Sequence, residues 1–244
     1  MKRATLSIYR GDNRRGEYKE YEVPVQEGMV VLDAVHTIQA KMDNDLAVRW
    51  NCKAGKCGSC GAEVNGHPKM MCMTRMDSLP LDKPITIAPM KAFPVIKDLV
   101  TDVSWNYEVN KQIAPFKPKP PEADGTWRMR QEDIDRVQEF RKCIECFLCQ
   151  DVCHVIRNHK KEDFIGPRFL IRVASLEMHP LDTEDRLPKL KDKFGIGLCN
   201  ITKCCTEVCP ESITITDNAI IPLKERVVTR FYDPLARFWR KIFK

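Results

Sequence analysis

No stretch of this 244-residue sequence approaches the roughly 20 consecutive apolar residues that a membrane-spanning helix needs. An apolar signal core is missing as well. Met1-Lys2-Arg3-Ala4-Thr5 runs straight into an alternating pattern, so a cytoplasmic or matrix-like location is expected unless a presequence preceded this numbering. Nothing marks the chain as secreted, which removes the usual setting for disulfides. The second half lacks any convincing strand pattern. Against these absences stand twelve cysteines. Cysteine in quantity without secretion points to metal or redox chemistry.

The cysteines fall in three groups of four: Cys52, Cys57, Cys60 and Cys72; Cys143, Cys146, Cys149 and Cys153; Cys199, Cys204, Cys205 and Cys209. The formal charge of +6 treats them as neutral thiols. Ligating thiols are deprotonated, and an oxidised iron–sulfur cluster with its thiolates carries about −2. Three such centres would bring the loaded protein near neutrality, so the basic balance does not indicate nucleic acid. The Lys and Arg residues then offset buried cluster charge or sit on docking faces.

The first group, Cys52-Lys53-Ala54-Gly55-Lys56-Cys57-Gly58-Ser59-Cys60, has the C-x4-C-x2-C spacing of plant-type [2Fe–2S] proteins. Cys72 is the fourth thiolate within reach. Gly55, Gly58 and Gly61 let the loop wrap closely and aim amide N–H groups at sulfur. A zinc site with four cysteines is the competing reading, but zinc sites usually present paired short knuckles, whereas here one loop supplies three ligands.

The second group is C-x2-C-x2-C-x3-C, the run of bacterial two-cluster ferredoxins, with His154 in place of the usual proline. On the same template Cys199, Cys205 and Cys209 take positions one, three and four of the third group, Pro210 follows, and Thr202 stands at position two. The fourth cysteine of each run ligates the other cluster. Cys143, Cys146, Cys149 and Cys209 are therefore expected to hold a [4Fe–4S] centre. Cys153, Cys199 and Cys205 supply only three thiolates, and a threonine hydroxyl is a poor iron ligand, so a [3Fe–4S] centre is expected there. Cys204 lies off the template, either as a buried structural thiol or as a replacement for Thr202.

Alternating residues at 5–10 and 18–25 predict a β-hairpin. Val31, Val35, Ile38 and Met42 predict a helix over 30–42. Short strands are expected at 62–64, turned by Asn65-Gly66, and at 84–87. Val95, Leu99 and Val103 suggest a connecting helix over 93–112. Pro115, Pro118, Pro120 and Pro121 require an extended connector. Helices are expected at 131–142, 166–179 and 219–231. After Asp233-Pro234, Leu235, Phe238, Trp239 and Ile242 share one face among basic residues, as in a short amphipathic helix on a membrane, in a partner groove or packed on its own domain. The fold class is α+β, with residues 1–105 and 106–244 as separate domains.

The [2Fe–2S] loop, the proline-rich connector, Cys143 to Cys153 and then C-x5-C-x3-C-P resemble the iron–sulfur subunit of succinate dehydrogenase and fumarate reductase over essentially the whole chain. Arg49 to Gly61, Phe164-Ile165-Gly166-Pro167 and Asp182 to Arg186 add to the resemblance. The form Asn200-Ile201-Thr202-Lys203-Cys204-Cys205 looks most like menaquinone-using bacterial members. The resemblance implies an N-terminal β-grasp [2Fe–2S] domain and a C-terminal all-α ferredoxin domain. It also implies a flavoprotein partner with FAD, and a membrane anchor with quinone and in some cases haem. The implied place is the cytoplasmic face of a bacterial inner membrane. Electrons would run between FAD and quinone, in the direction of succinate oxidation or of fumarate reduction, with no dicarboxylate chemistry in this chain. At the quinone end the resemblance assigns His154, Asn158 (where ubiquinone-using members carry a quinone-bonding tryptophan), Asn200 and Lys224. A generic two-cluster ferredoxin leaves the first cysteine group unexplained. A soluble relay for another flavoenzyme usually keeps full four-cysteine sets or adds a cysteine-rich domain.

Overall fold

Alternating burial organises the first hundred residues. β1 (Lys2–Gly11) and β2 (Gly16–Val25) pair antiparallel over their full length. Leu6 and Ile8 of β1 and Val23 of β2 are fully buried. α1 (Val31–Lys41) covers them with Val31, Leu32, Ala34, Val35 and Ile38. Its first turn is closed by Asp33, whose carboxylate accepts the Val30 N–H at 3.2 Å. β3 (Gly61–Val64) and β4 (His67–Met70) form a hairpin turned by Asn65 (φ 50°) and Gly66 (φ 77°), the left-handed pair a tight two-residue hairpin requires. β5 (Ile85–Ala88) pairs parallel to β1 and antiparallel to β3, completing a mixed five-stranded sheet of order β2-β1-β5-β3-β4. A mixed sheet with one helix laid across it is the β-grasp arrangement.

This computed structural model describes residues 2–158 and 163–235. It divides into two units. The first comprises residues 1–105, 144–152 and 208–210, the second 106–143, 153–207 and 211–244.

The helix expected over 93–112 is in fact a small antiparallel ribbon, β6 (Val95–Lys97) with β7 (Val100–Thr101), followed by α2 (Ser104–Lys111). The reason is Asp98 (φ 51°), whose buried carboxylate accepts the N–H groups of Gly11 at 2.9 Å and Ala47 at 2.8 Å. It also pairs with Arg10 Nε at 3.1 Å. Those partners fix a turn where helical spacing alone suggested continuation.

The second unit is helical: α3 (Gln131–Gln138) running into a 3₁₀ turn (Glu139–Lys142), α5 (His154–Asn158), α6 (Pro167–Glu177), α7 (Leu187–Asp192), α8 (Cys204–Glu207) and α9 (Ile221–Phe231). α4 (Leu148–Val152) belongs to the first unit. α6 is the centre of the second core, burying Phe169, Leu170, Ile171, Val173, Ala174 and Leu176. α9 begins later than its apolar period suggests, because Ile215–Ile220 form a π-helical turn ahead of it. The proline-rich connector is held rather than loose. Lys119 N–H bonds Leu181 O at 2.9 Å, Thr183 N–H bonds Lys117 O at 2.9 Å, and Pro118 bridges Asp182. Arg186, 1% exposed, donates to Ala114 O at 3.0 Å and Pro115 O at 2.6 Å, and pairs with Asp182 at 2.9 Å. No helix among the described residues is long and apolar enough to cross a membrane. Pro234 and Leu235 are helical, while Phe238, Trp239 and Ile242 lie outside the described residues.

Candidate iron–sulfur centres

The first cysteine group sits in the first unit, in the loop between α1 and β3 and just beyond β4. Lys53 (φ 56°), Gly55 (φ 68°) and Gly58 (φ 71°) reverse the backbone, so that its amides face sulfur. Ala54 and Lys56 N–H each approach Cys52 Sγ at 3.3 Å, Cys52 N–H approaches Cys57 Sγ at 3.5 Å, and Cys72 N–H approaches Cys60 Sγ at 3.4 Å. Cys72 is brought back to Cys60 by the β3–β4 hairpin, whose end is tied by Met71 N–H to Cys60 O at 3.1 Å. Burial pushes the Cys60 thiol up to about 12. Burial acts upward on Cys57 too, but donors from Cys52 and Ser59 outweigh it and bring that thiol down to about 6. Thiolate-directed N–H groups around four cysteines are the donor set and cradle a [2Fe–2S] centre requires.

The other two runs share one backbone shape. Each begins after a 3₁₀ turn (Glu139–Lys142 and Ile196–Leu198) with an extended cysteine, Cys143 (φ −62°, ψ 115°) and Cys199 (φ −70°, ψ 120°). Position two is flanked on both sides by left-handed residues: Glu145 (φ 56°) and Phe147 (φ 61°) around Cys146, Ile201 (φ 61°) and Lys203 (φ 62°) around Thr202. The third template position is the second residue of a short helix in both cases, Cys149 in α4 and Cys205 in α8. Thr202 thus occupies, residue for residue, the backbone site of Cys146. These strained non-glycine positions have no composition signal and were not foreseen from the sequence.

The units also sort the cysteines. Cys146, Cys149 and Cys209 fall in the first, although Cys209 is only four residues from Cys205. Cys153, Cys199, Cys204 and Cys205 fall in the second and line one small cavity with His154, Asn200 and Thr202. Cys143 is the residue before Ile144, where the chain enters the first unit. Within that unit the two runs touch. A Cβ on Gly58 would lie 2.8 Å from Cys146 Cα and 2.9 Å from Ile144 O. Phe93 and Phe147 stack edge-on at 6.3 Å, and Ala92 N–H bonds the buried Asp151 carboxylate at 2.9 Å.

In the second unit, burial raises the Cys205 thiol to about 11 and also raises Cys153. Thr216 Oγ1 lies 3.5 Å from Cys205 Sγ and is itself held by Thr206, through Oγ1 at 3.2 Å and through its own N–H at 3.0 Å. This hydroxyl pair, set by the π-helical turn, also escaped sequence reading. Of the residues that the resemblance assigns to a quinone end, His154 and Asn200 line the thiol cavity, and Lys224 donates through Nζ to the Cys199 carbonyl. Asn158 sits at the exposed end of α5 and does not line it.

Among the described residues, no three or more His, Cys, Asp or Glu side chains gather tightly enough for a single metal ion. In an iron–sulfur cluster the thiolates are distributed over two or more irons, so the ligands need not converge on one point.

A family model described as a 2Fe-2S iron-sulfur cluster binding domain matches residues 5–108, and one described as a 4Fe-4S dicluster domain matches residues 139–213. The chain is 33% identical over 202 residues to a fumarate reductase iron-sulfur subunit of Mycobacterium tuberculosis, covering 80% of each. It is 30% identical over 232 residues to a succinate dehydrogenase iron-sulfur subunit of Paracoccus denitrificans, covering 92% of this chain and 88% of that one. A chain in the structure of the Mycobacterium smegmatis Sdh1 complex in the apo form superposes with TM-score 0.91 at 61% identity, over 95% of this chain and 98% of that chain. Relatives under both names match this chain over most of their length, and the chain belongs to the family of iron–sulfur subunits of succinate dehydrogenase and fumarate reductase, the electron-transfer component of that oxidoreductase.

Proposed function

We propose that this subunit relays electrons between the FAD of a partner flavoprotein and a quinone, menaquinone by its Asn200 to Cys205 form, held at a membrane anchor. The relay works in the sense of succinate oxidation, with fumarate reduction as its reverse. The clusters, when bound, supply one-electron transfer. Cys52, Cys57, Cys60 and Cys72 in domain 1–105 hold a [2Fe–2S] centre. Within the sequence segment 106–244, Cys143, Cys146, Cys149 and Cys209 hold a [4Fe–4S], the last three of them packed with the first compact unit, and Cys153, Cys199 and Cys205 hold a [3Fe–4S]. His154, Asn158, Asn200 and Lys224 form the quinone end. The subunit is peripheral, on the cytoplasmic side of a bacterial inner membrane.

The observation that carries the relay is the packing of Gly58 directly on the Cys146 backbone. It allows no side chain between the first two cysteine runs at that point, and electron transfer depends on such short separations. The grouping of Cys209 with Cys146 and Cys149, and the placement of Thr202 on the site of Cys146, support crossed ligation with one thiolate missing.

The test is purification of the native complex from membranes followed by addition of succinate. Co-purification with a covalent flavoprotein and a membrane protein, with succinate-reducible clusters oxidised again by a menaquinone analogue, is the expected result. A chain that purifies without a flavoprotein, or whose clusters ignore both succinate and quinone, contradicts the assignment.

A further inference from the structure

The cavity assigned above to the three-thiolate centre is lined by four thiols. Cys204 joins Cys153, Cys199 and Cys205 there. In the other run the equivalent position, just before the third ligand, is Leu148, 1% exposed and packed so that its Cδ2 lies 3.2 Å from where a Gly61 Cβ would stand. That position has a packing role. Cys204 is half-buried, and its Sγ lies 3.3 Å from Thr202 Oγ1, beside the residue on the site of Cys146. The flanking residues Asn200, Ile201, Thr202 and Lys203 are all exposed in this chain.

We propose that Cys204 is a facultative fourth ligand of this centre, its thiolate capturing a ferrous ion at the corner Thr202 leaves open. The reading rests on the three-thiolate assignment made above. The oxidised three-iron core, [3Fe–4S]⁺, takes one electron from a reductant such as dithionite and becomes neutral. One Fe²⁺ adds to three of its sulfides, Cys204 releases its thiol proton to solvent and forms one Fe–S bond, and the core becomes [4Fe–4S]²⁺ with no further electron moved. One-electron oxidation by ferricyanide reverses it: Fe²⁺ is expelled and Cys204 is reprotonated. A core with three thiolates carries about −2 in its oxidised state, which favours cation capture. Thr202 does not ligate in either state, and its hydroxyl neighbours the thiol.

The experiment uses the purified complex under anaerobic conditions, incubated with dithionite and isotopically enriched Fe²⁺, desalted, and re-oxidised gently with a quinone analogue. The readouts are the three-iron EPR signal and Mössbauer detection of the added iron. The proposal expects wild type to lose most of its three-iron signal and retain about one added iron per chain, and ferricyanide to restore the signal. Cys204→Ser keeps the signal throughout, whereas Thr202→Ala converts as wild type does. A wild-type signal that survives the treatment overturns the proposal while leaving the three-iron assignment intact, and so does equal conversion in Cys204→Ser. Wild type isolated with a four-iron centre that Cys204→Ser reduces to three irons supports the ligand role and overturns the three-iron resting state. No three-iron signal in either protein overturns both readings.

Discussion

Gly58 offers the sharpest stability test, because its surroundings are all backbone. In Gly58→Ala the added methyl would fall 2.8 Å from Cys146 Cα, 2.9 Å from Ile144 O and 3.0 Å from Cys146 N. None of these atoms can swing aside as the end of a side chain could. Two costs combine. Alanine at φ 71° carries a left-handed penalty of about 1–2 kcal/mol. Forcing a methyl into a filled contact adds about 1–3 kcal/mol. Together they approach about 2–5 kcal/mol, a large share of the roughly 5–15 kcal/mol that holds a domain folded. Gly66→Ala is the control. Gly66 has φ 77° but nothing within 4 Å of its Cβ position, so only the first cost applies. Guanidinium midpoints of the loaded complex, followed by loss of cluster absorbance, should fall in the order wild type, Gly66→Ala, Gly58→Ala. Equal losses in the two variants would refute the close approach of the first two cysteine runs.

Three further outcomes are expected. Thr202→Cys supplies a permanent fourth thiolate, so EPR of the oxidised complex should lose the three-iron signal and the centre's potential should fall; an unchanged signal would show that Thr202 is misassigned. Arg186→Ala strands the buried Asp182 carboxylate and the carbonyls of Ala114 and Pro115, at a cost of about 3–5 kcal/mol. Limited proteolysis should then cut within 114–130, and resistance equal to wild type would count against the clamp. Asp43 is held below the ordinary carboxylate range by Lys19 and Tyr21, with Arg10 adding to it. A depressed carboxylate contributes stability that is present above its unfolded pKa of about 4 and is lost as pH falls below it. Denaturation midpoints should therefore drop on acidification through that range, and less steeply in Asp43→Asn; parallel curves would contradict the network.

What could be read from the sequence was what is local in it. Thiolate spacing reports cluster type because a few consecutive residues must wrap one core, so Cys52 to Cys60 and Cys143 to Cys153 declare their chemistry without a fold. Hairpins with Asn65-Gly66 chemistry and the amphipathic face of α1 are legible for the same reason. The ribbon at 95–101 was not, because Val95 and Leu99 are spaced as in a helix. The deciding contacts of Asp98 come from Gly11, Arg10 and Ala47, more than fifty residues away. The π-helical turn that sets Thr216 against Cys205 is equally a product of packing. So is the nearness of Cys204 to Thr202, which depends on a left-handed lysine between them. Sequence spacing left Cys204 open between a structural thiol and a replacement for Thr202, and its place in the cavity beside Thr202 could not be read from that spacing.

The central claim is a relay of three different iron–sulfur centres, and EPR with metal analysis on the purified native complex tests it most directly. Roughly nine irons and ten labile sulfides per chain are expected. The oxidised sample should show a three-iron spectrum, and the dithionite-reduced sample two further, mutually coupled clusters. A preparation that is colourless, lacks acid-labile sulfide or holds zinc in place of iron would contradict the account.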